Sequence, residues 1–243
     1  MQLIVDIGNT RIKSYVFKGD RVIDKMATPL ENGTEETLTL YAKYKEIDKV
    51  MISDVRGSVS KTIENQLAPQ GVVYCSMALK LPFQTRYHPS EQLGADRVAL
   101  LAASCIEYPN IPRLIIDLGS CITYDFIDEK NLHHGGAISP GFLMRYKSMH
   151  TFTGKLPNLT PETVNYFQGT NTAQAMHLGV YQGIINEIKG VMNQYFEIYK
   201  DLTIILTGGD TERLSKPLKN SIFADSNFIA NGLNYILKMN STL

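Results

Sequence analysis

One stretch of this chain occurs twice. MQLIVDIGNT opens it, and RLIIDLGSCIT follows further along, pairing Leu3 with Leu114, Ile4 with Ile115, Asp6 with Asp117 and Gly8 with Gly119 at a constant offset. In each copy an apolar run ends in Asp-x-Gly and small polar residues. A second strand-like segment comes after, RIKSYVF in one case and TYDFI in the other. A repeat that carries a strand, a turn and a further strand constrains the whole fold. It predicts two related halves of an α/β protein, each presenting a carboxylate and a tight turn. The boundary is expected between roughly Cys105 and Arg113, giving residues 1–110 and 111–243.

The intervening pattern fits that plan. LIVDI, KSYVF and RVIDKMA read as successive strands, with Gly19-Asp20 turning between the last two. A polar helix is expected from about Thr34 to Tyr44, then the strand KVMISDV, a helix near Val59–Leu67 and the strand GVVYC, an alternation of the α/β kind. LKLPFQTRYHPSEQLGADR reads as a long irregular loop, the type of segment that carries function. Val98, Leu101, Ala102 and Cys105 lie at the spacing of one buried helical face. In the second half HHGGAISPG reads as a glycine-rich turn region and KSMHTFTGKLPNLTP as an extended loop. A long helix from Thr172 to about Tyr199 turns Ala175, Leu178, Val180, Ile184, Ile188, Val191 and Met192 towards one side. DLTIILTGGD is a strand meeting a glycine pair, and NFIANGLNYILKM is the last helix.

Composition narrows the function. Lysine and arginine (24) balance aspartate and glutamate (24), so no global field draws the chain to nucleic acid or an anionic membrane. VALLAASCI is too short and too polar to span a bilayer, and no secretory leader is visible. Cys75, Cys105 and Cys121 lie far apart without a CxxC, which points to reduced thiols and not to a zinc site or disulfide framework. The expectation is a soluble cytoplasmic protein with no nucleic-acid or membrane partner. GxxxxGK(S/T), GxGxxG after a strand, GxSxG and HExxH are all missing. His133-His134 alone reads as a solvated loop pair.

Three strand-terminal signals remain: Asp6-Ile7-Gly8-Asn9-Thr10, Asp117-Leu118-Gly119-Ser120-Cys121 and Thr207-Gly208-Gly209-Asp210. Glycine at such a turn lets backbone N–H groups approach a phosphate. Asn, Thr and Ser add donors, Asp offers a hard oxygen for the accompanying cation, and Lys13 can neutralise a terminal phosphate. Any one Asp-x-Gly is a hairpin turn. Two copies in register with a third glycine pair favour nucleotide.

These features resemble the acetate and sugar kinase, Hsp70 and actin superfamily. That resemblance implies two ribonuclease H-like halves of duplicated origin, with mixed sheets flanked by helices and nucleotide in the interdomain cleft. Within it the chain closely resembles the type III pantothenate kinases through DIGNTRIK (Asp6–Lys13), GADR (Gly94–Arg97), DLGSCIT (Asp117–Thr123), GGAISPG (Gly135–Gly141), TGKLP (Thr153–Pro157), Asn171-Thr172 with Gly179, and TGGD (Thr207–Asp210). The motifs occur in the family's order over nearly the whole chain. One departure is Ser120-Cys121, where the family usually has Thr-Ala; serine keeps the hydroxyl and cysteine replaces a small residue.

The resemblance implies ATP-dependent phosphorylation of pantothenate to 4′-phosphopantothenate, the first step towards coenzyme A. ATP phosphates would be held by Asp6, Ile7, Gly8, Asn9, Thr10, Arg11, Ile12 and Lys13 and by Ser120, with a divalent cation such as Mg2+. Asp117 would hold a monovalent cation, K+ or NH4+. Asp96 opens a helix, where by itself it would only complement the N-terminus; the resemblance makes it the base that takes the hydroxyl proton. Gly94, Ala95, Asp96, Arg97, Tyr87 and Thr172 would meet pantothenate. On the residues alone Arg97 reads as a surface ion pair, Tyr87 as a loop anchor and Thr172 as a helix N-cap. The family also implies a homodimer. Another small-molecule kinase of the superfamily would keep the Asp-Gly turns, and a nucleotide-binding regulator is a third reading.

Overall fold

Alternation along the opening strand determines where the first sheet puts its chemistry. In the computed structural model, which describes residues 1–57, 60–67, 71–214, 216–218 and 221–241, β1 (Gln2–Ile7) pairs antiparallel with β2 (Arg11–Lys18) and parallel with β4 (Lys49–Asp54). β3 (Arg21–Pro29) and β5 (Val72–Tyr74) complete the order β3-β2-β1-β4-β5. Leu3, Val5 and Ile7 join Ile12, Val16, Leu40 and Ile63 in one core, under α1 (Leu30–Ala42) and α2 (Ser60–Leu67). Side chains alternate faces along a strand, so Ile4 and Asp6 point the other way. α3 (Ala95–Glu107) and α7 (Phe228–Met239) pack against each other and against β1 and β4.

The chain divides into two compact units. One comprises Met1–Asn110, Ile127–Gly135 and Ser226–Leu243; the other comprises Ile111–Phe126 and Gly136–Asp225. In the second unit β7 (Arg113–Leu118) pairs in parallel with β10 (Thr203–Thr207), which pairs in parallel with β11 (Ile222–Phe223). β8 (Cys121–Ile127) follows β7, and β9 (Leu132–Pro140) follows β8. Leu114, Ile116, Ile122, Tyr124 and Phe126 from these strands meet Val180, Ile184 and Ile188 of α5 (Thr172–Ile198). α4 (Phe142–Thr151) and the short α6 (Thr211–Leu214) belong to the same unit. In the first unit, β6 (Gln84–Thr85) pairs in parallel with Leu132 and His133 at the start of β9.

Several expectations need correction. HHGGAISPG is strand, because the reversal is made earlier: Asn131 takes φ 60, its N–H bonds Asp128 O, and Asp128 Oδ1 accepts from the N–H groups of Lys130 and Leu132. The helix expected from Thr34 begins at Leu30, directly after Pro29. Within KSMHTFTGKLPNLTP the first residues, Lys147–Thr151, complete α4. On α5 Ala175 is exposed, and Met176 and His177 take the inward positions. The expected helix start at Val59 lies outside the described residues. Among those residues no helix is long and apolar enough to cross a membrane.

Candidate active site

Asp6 is the penultimate residue of β1. Strand register sets Lys13 of β2 opposite it on one side and Ser53 of β4 on the other, so three polar side chains share one sheet face near the carboxyl end of two parallel strands. Ligands in open α/β sheets collect outside the carboxyl ends of strands. Asp6 is nearly sealed from solvent, and its pKa is pushed up to about 6 by burial above all; Lys13 opposes the rise and Asp96 adds to it. That coupling places the carboxylate of α3's first turn beside the carboxylate of β1.

The turn between β1 and β2 is made by Gly8, Asn9 and Thr10. Gly8 N–H donates to Arg11 O at 3.0 Å, and Asn9, Thr10 and Arg11 are exposed. Ile7 and Ile12 instead lie fully in the core, so only their backbone can face a ligand. Arg56, which the sequence did not single out, donates from Nη1 to Asn9 O at 3.2 Å, and Asp54 Oδ1 accepts from the N–H groups of Arg56 and Gly57. Arg56 thus joins Arg11 and Lys13 as a basic side chain by this turn.

At the start of α3, Gly94 occupies the N-cap position and its carbonyl accepts from Val98 N–H at 3.0 Å. Asp96 Oδ1 accepts from Arg97 N–H at 2.8 Å, which fixes the carboxylate in the helix's first turn. Arg97 is a correction to the expected surface ion pair. It is only 4 % exposed, with its guanidinium carbon 5.2 Å from the ring centroid of Tyr87. Tyr87 stacks in turn on His133 at 6.3 Å and 15°. His133 is fully buried, not solvated, and its Nδ1 shares a 2.8 Å hydrogen bond with Thr85 Oγ1. His134 pairs with Asp128 at 2.8 Å. The nearby Cys75 thiol is pushed up to about 12 by burial first, then by Asp6 and Asp96, so it stays protonated and unreactive.

The second unit repeats the plan with a turn one residue shorter. Asp117 is the penultimate residue of β7, Gly119 N–H donates to Cys121 O at 3.0 Å, and Ser120 O accepts from Gly141 N–H at 3.1 Å. Gly208, with φ 98, closes on this turn: a Cβ there would meet Asp117 Oδ1, Leu118 N and Leu118 O, each at 2.5 Å. Only glycine lets β10 end so near the Asp117 carboxylate. The Asp117 carboxylate is a hard oxygen that this turn offers to a cation, while the Leu118 carbonyl beside it already accepts from Asp210 N–H at 3.0 Å. Among the described residues no cluster of three or more His, Cys, Asp or Glu side chains is placed to cage a metal. Carboxylates here fit ions that keep most of their other ligands from water or phosphate. Thr172 is exposed as the first residue of α5, and the cap is made by Asn171, whose Oδ1 accepts from Gln174 N–H at 2.9 Å.

The structure therefore brings Asp6, Lys13 and Asp96 together, and Tyr87 with Arg97. Ser53, Arg56, Thr85 and His133 are additions. Ser53 carried a signal, a polar residue inside the buried run VMIS. His133 carried none beyond standing before a glycine pair.

Comparison with known proteins identifies the frame. The family model described as type III pantothenate kinase matches residues 2–194. A type III pantothenate kinase of Christiangramia forsetii is 43 % identical over 243 residues, covering all of both chains. Among solved structures, a Campylobacter jejuni protein assigned to the Baf family of transcriptional activators superposes with TM-score 0.64 at 24 % identity, covering 99 % of this chain and all of that one. A Sinorhizobium meliloti protein assigned as a 2-dehydro-3-deoxygalactonokinase gives 0.60 at 10 % identity, over 97 % and 98 % of the two chains. At those identities the superpositions speak for the fold alone, that of the sugar kinase and actin-like ATPases. Full-length identity to curated kinases and the family model together place the chain in the type III pantothenate kinase family.

Proposed function

We propose that the first unit carries the phosphoryl-acceptor chemistry of an ATP-dependent pantothenate kinase, which makes 4′-phosphopantothenate as the first step of coenzyme A synthesis. The observation that carries this is the joining of Asp96, at the start of a helix, to Asp6 and Lys13 at the carboxyl end of β1. In phosphoryl transfer a protein mainly positions reactants and stabilises charge. Asp96 accepts the proton of pantothenate's primary hydroxyl as the phosphoryl group leaves ATP. Its carboxylate is held for that task by the Arg97 N–H. Arg97 and Tyr87 hold the acceptor, with the backbone of Gly94 and Ala95 lining its approach, and Thr172 is a further pantothenate contact.

The turn from Asp6 to Lys13 binds ATP phosphates through backbone N–H groups and Lys13, and Ser120 is a further ATP contact. Asp6 would meet the divalent cation that accompanies ATP, which would supply neutralisation of phosphate charge. Asp117 would hold the monovalent cation, K+ or NH4+. Further elements of the proposal are a homodimer, a cytoplasmic location, and descent of residues 1–110 and 111–243 from one duplicated unit.

The test is a coupled ADP-release assay with and without pantothenate, in potassium, in ammonium and in sodium alone. Pantothenate-dependent turnover that needs potassium or ammonium is the expected result. Turnover indifferent to the cation would remove the role given to Asp117. Asp96→Asn is expected to bind both substrates and to lose turnover by about a hundredfold or more. Retention of most turnover would take the base role from Asp96.

A further inference from the structure

His133 has no place in the reaction just described, yet it is a fully buried imidazole in contact with the loop that carries Tyr87. It sits at the start of β9, and the loop that carries Tyr87 is pinned to it through both backbone and side chain. Thr85 is its register partner in the parallel pairing with β6, Arg86 N–H donates to His133 O at 2.9 Å, and Thr85 Oγ1 meets His133 Nδ1 at 2.8 Å. The same Thr85 hydroxyl accepts from Tyr87 N–H at 2.9 Å. The Tyr87 ring then lies nearly parallel to the imidazole, and Phe83 meets the imidazole edge-on at 6.5 Å. Arg97 lies over Tyr87. Imidazole, phenol and guanidinium thus form a continuous stack, from a strand of the scaffold to a charged side chain at the start of α3.

We infer that His133 is a positioning residue for pantothenate recognition. It gives the Tyr87 ring one orientation and, through that ring, sets the direction of the Arg97 guanidinium. The physical argument concerns where freedom remains. Tyr87 stands on a long segment whose only regular elements are the two-residue β6 and a single turn at Ser90–Gln92. A loop side chain without a fixed base would lose rotamer freedom each time substrate bound, a cost that lowers affinity. A buried aromatic base removes that cost in advance. Ring stacks and cation–π contacts each carry enough energy to hold such a geometry. Arg97 is directional, since its fork must match the group it binds, so its value depends on the ring beneath it.

This rests on the reading that Tyr87 and Arg97 meet pantothenate, and the test separates the two. His133→Ala removes the ring, His133→Asn keeps a hydrogen-bonding group without the ring, and His133→Phe keeps a ring without the bond to Thr85. All three are compared with Tyr87→Ala and Arg97→Gln for KM of pantothenate, KM of ATP, kcat and cooperative unfolding. The expected result is a pantothenate KM raised about three- to tenfold by Ala and by Asn, the size of one lost aromatic contact, with the KM of ATP unchanged and kcat nearly kept. His133→Phe is expected to restore the pantothenate KM to within about twofold of the native value, as one retained aromatic contact would.

A merely structural His133 would lower stability in all three without that split, and such a result overturns the inference. If Ala fails to fold, Asn against Phe decides: equal KM values in those two overturn it as well. If Tyr87→Ala and Arg97→Gln leave the pantothenate KM at its native value, the acceptor assignment itself fails. If those two raise it and folded His133 variants do not, only the role of His133 is lost.

Discussion

Asp6 is a carboxylate sealed on the central strand of a sheet, and burial holds its pKa at about 6 against a value of 3.8 for the unperturbed group. The folded chain therefore binds a proton between those values that the unfolded chain releases. The stabilising contribution is fully present below 3.8 and is lost as the pH rises through 6. Two pKa units correspond to about 3 kcal/mol. Asp6→Asn, neutral at every pH and of similar size, is expected to withstand denaturant better than the native chain at neutral pH by up to about that amount. The advantage should shrink towards zero near pH 4, and kinase activity should be lost. Denaturant titrations of both proteins at the two pH values check this, and a gap of equal size at both would refute it. A residue that lowers the stability of its own fold at working pH is kept there for its chemistry.

Helices α3 and α7 act as one element, because α3 presents Asp96 and Arg97 from its first turn and α7 fixes where that turn lies. Their contact is close: a Cβ on Gly232 would collide with Ala99 O and would reach Ala103 N at 2.9 Å. Backbone cannot yield as a side-chain tip can, so Gly232→Ala is expected to cost about 1–3 kcal/mol by overpacking. It should also raise the pantothenate KM by displacing the start of α3, leaving the KM of ATP closer to native. Thermal unfolding and the two KM values measure both effects. The element scale also shows where sequence reasoning succeeds and fails. The spacing of Val98, Leu101, Ala102 and Cys105 located α3, but the single buried face it implied is corrected by the structure: every residue from Arg97 to Cys105 is buried, so the helix is enclosed on all sides. HHGGAISPG misled because glycine has two uses. Gly136 is needed where β9 lies against the backbone of Tyr124, and the turn was already made by Asp128 and Asn131. Arg97 misled for a related reason, since one of its contacts is Tyr87, ten residues earlier on a loop whose path no local pattern encodes.

For the molecule as a whole, the repeat made the α/β plan and both Asp-x-Gly turns legible, because a strand that ends in such a turn repeats its pattern whenever it repeats its structure. Surfaces that meet other molecules leave no periodic trace, and there the structure adds what the sequence lacked. Between residues 138 and 167 the second unit exposes Ile138, Leu143, Met144, Phe152 and Phe167, the last two at 85 % and 91 %. Single exposed apolar residues need no explanation, and it is the number of large ones within this stretch that makes it the place to test the proposed association. The proposed homodimer is the simplest occupant, since a two-fold interface uses one patch on both copies. Light scattering is expected to give twice the 27.2 kDa of one chain. Phe152→Ser combined with Phe167→Ser should shift the mass towards the monomer at micromolar concentration while leaving cooperative unfolding intact. Loss of turnover in step with loss of the dimer, restored by raising protein concentration, would tie catalysis to association. A native chain that scatters as a monomer while turning over pantothenate would show that one copy suffices and that the apolar surface serves another partner.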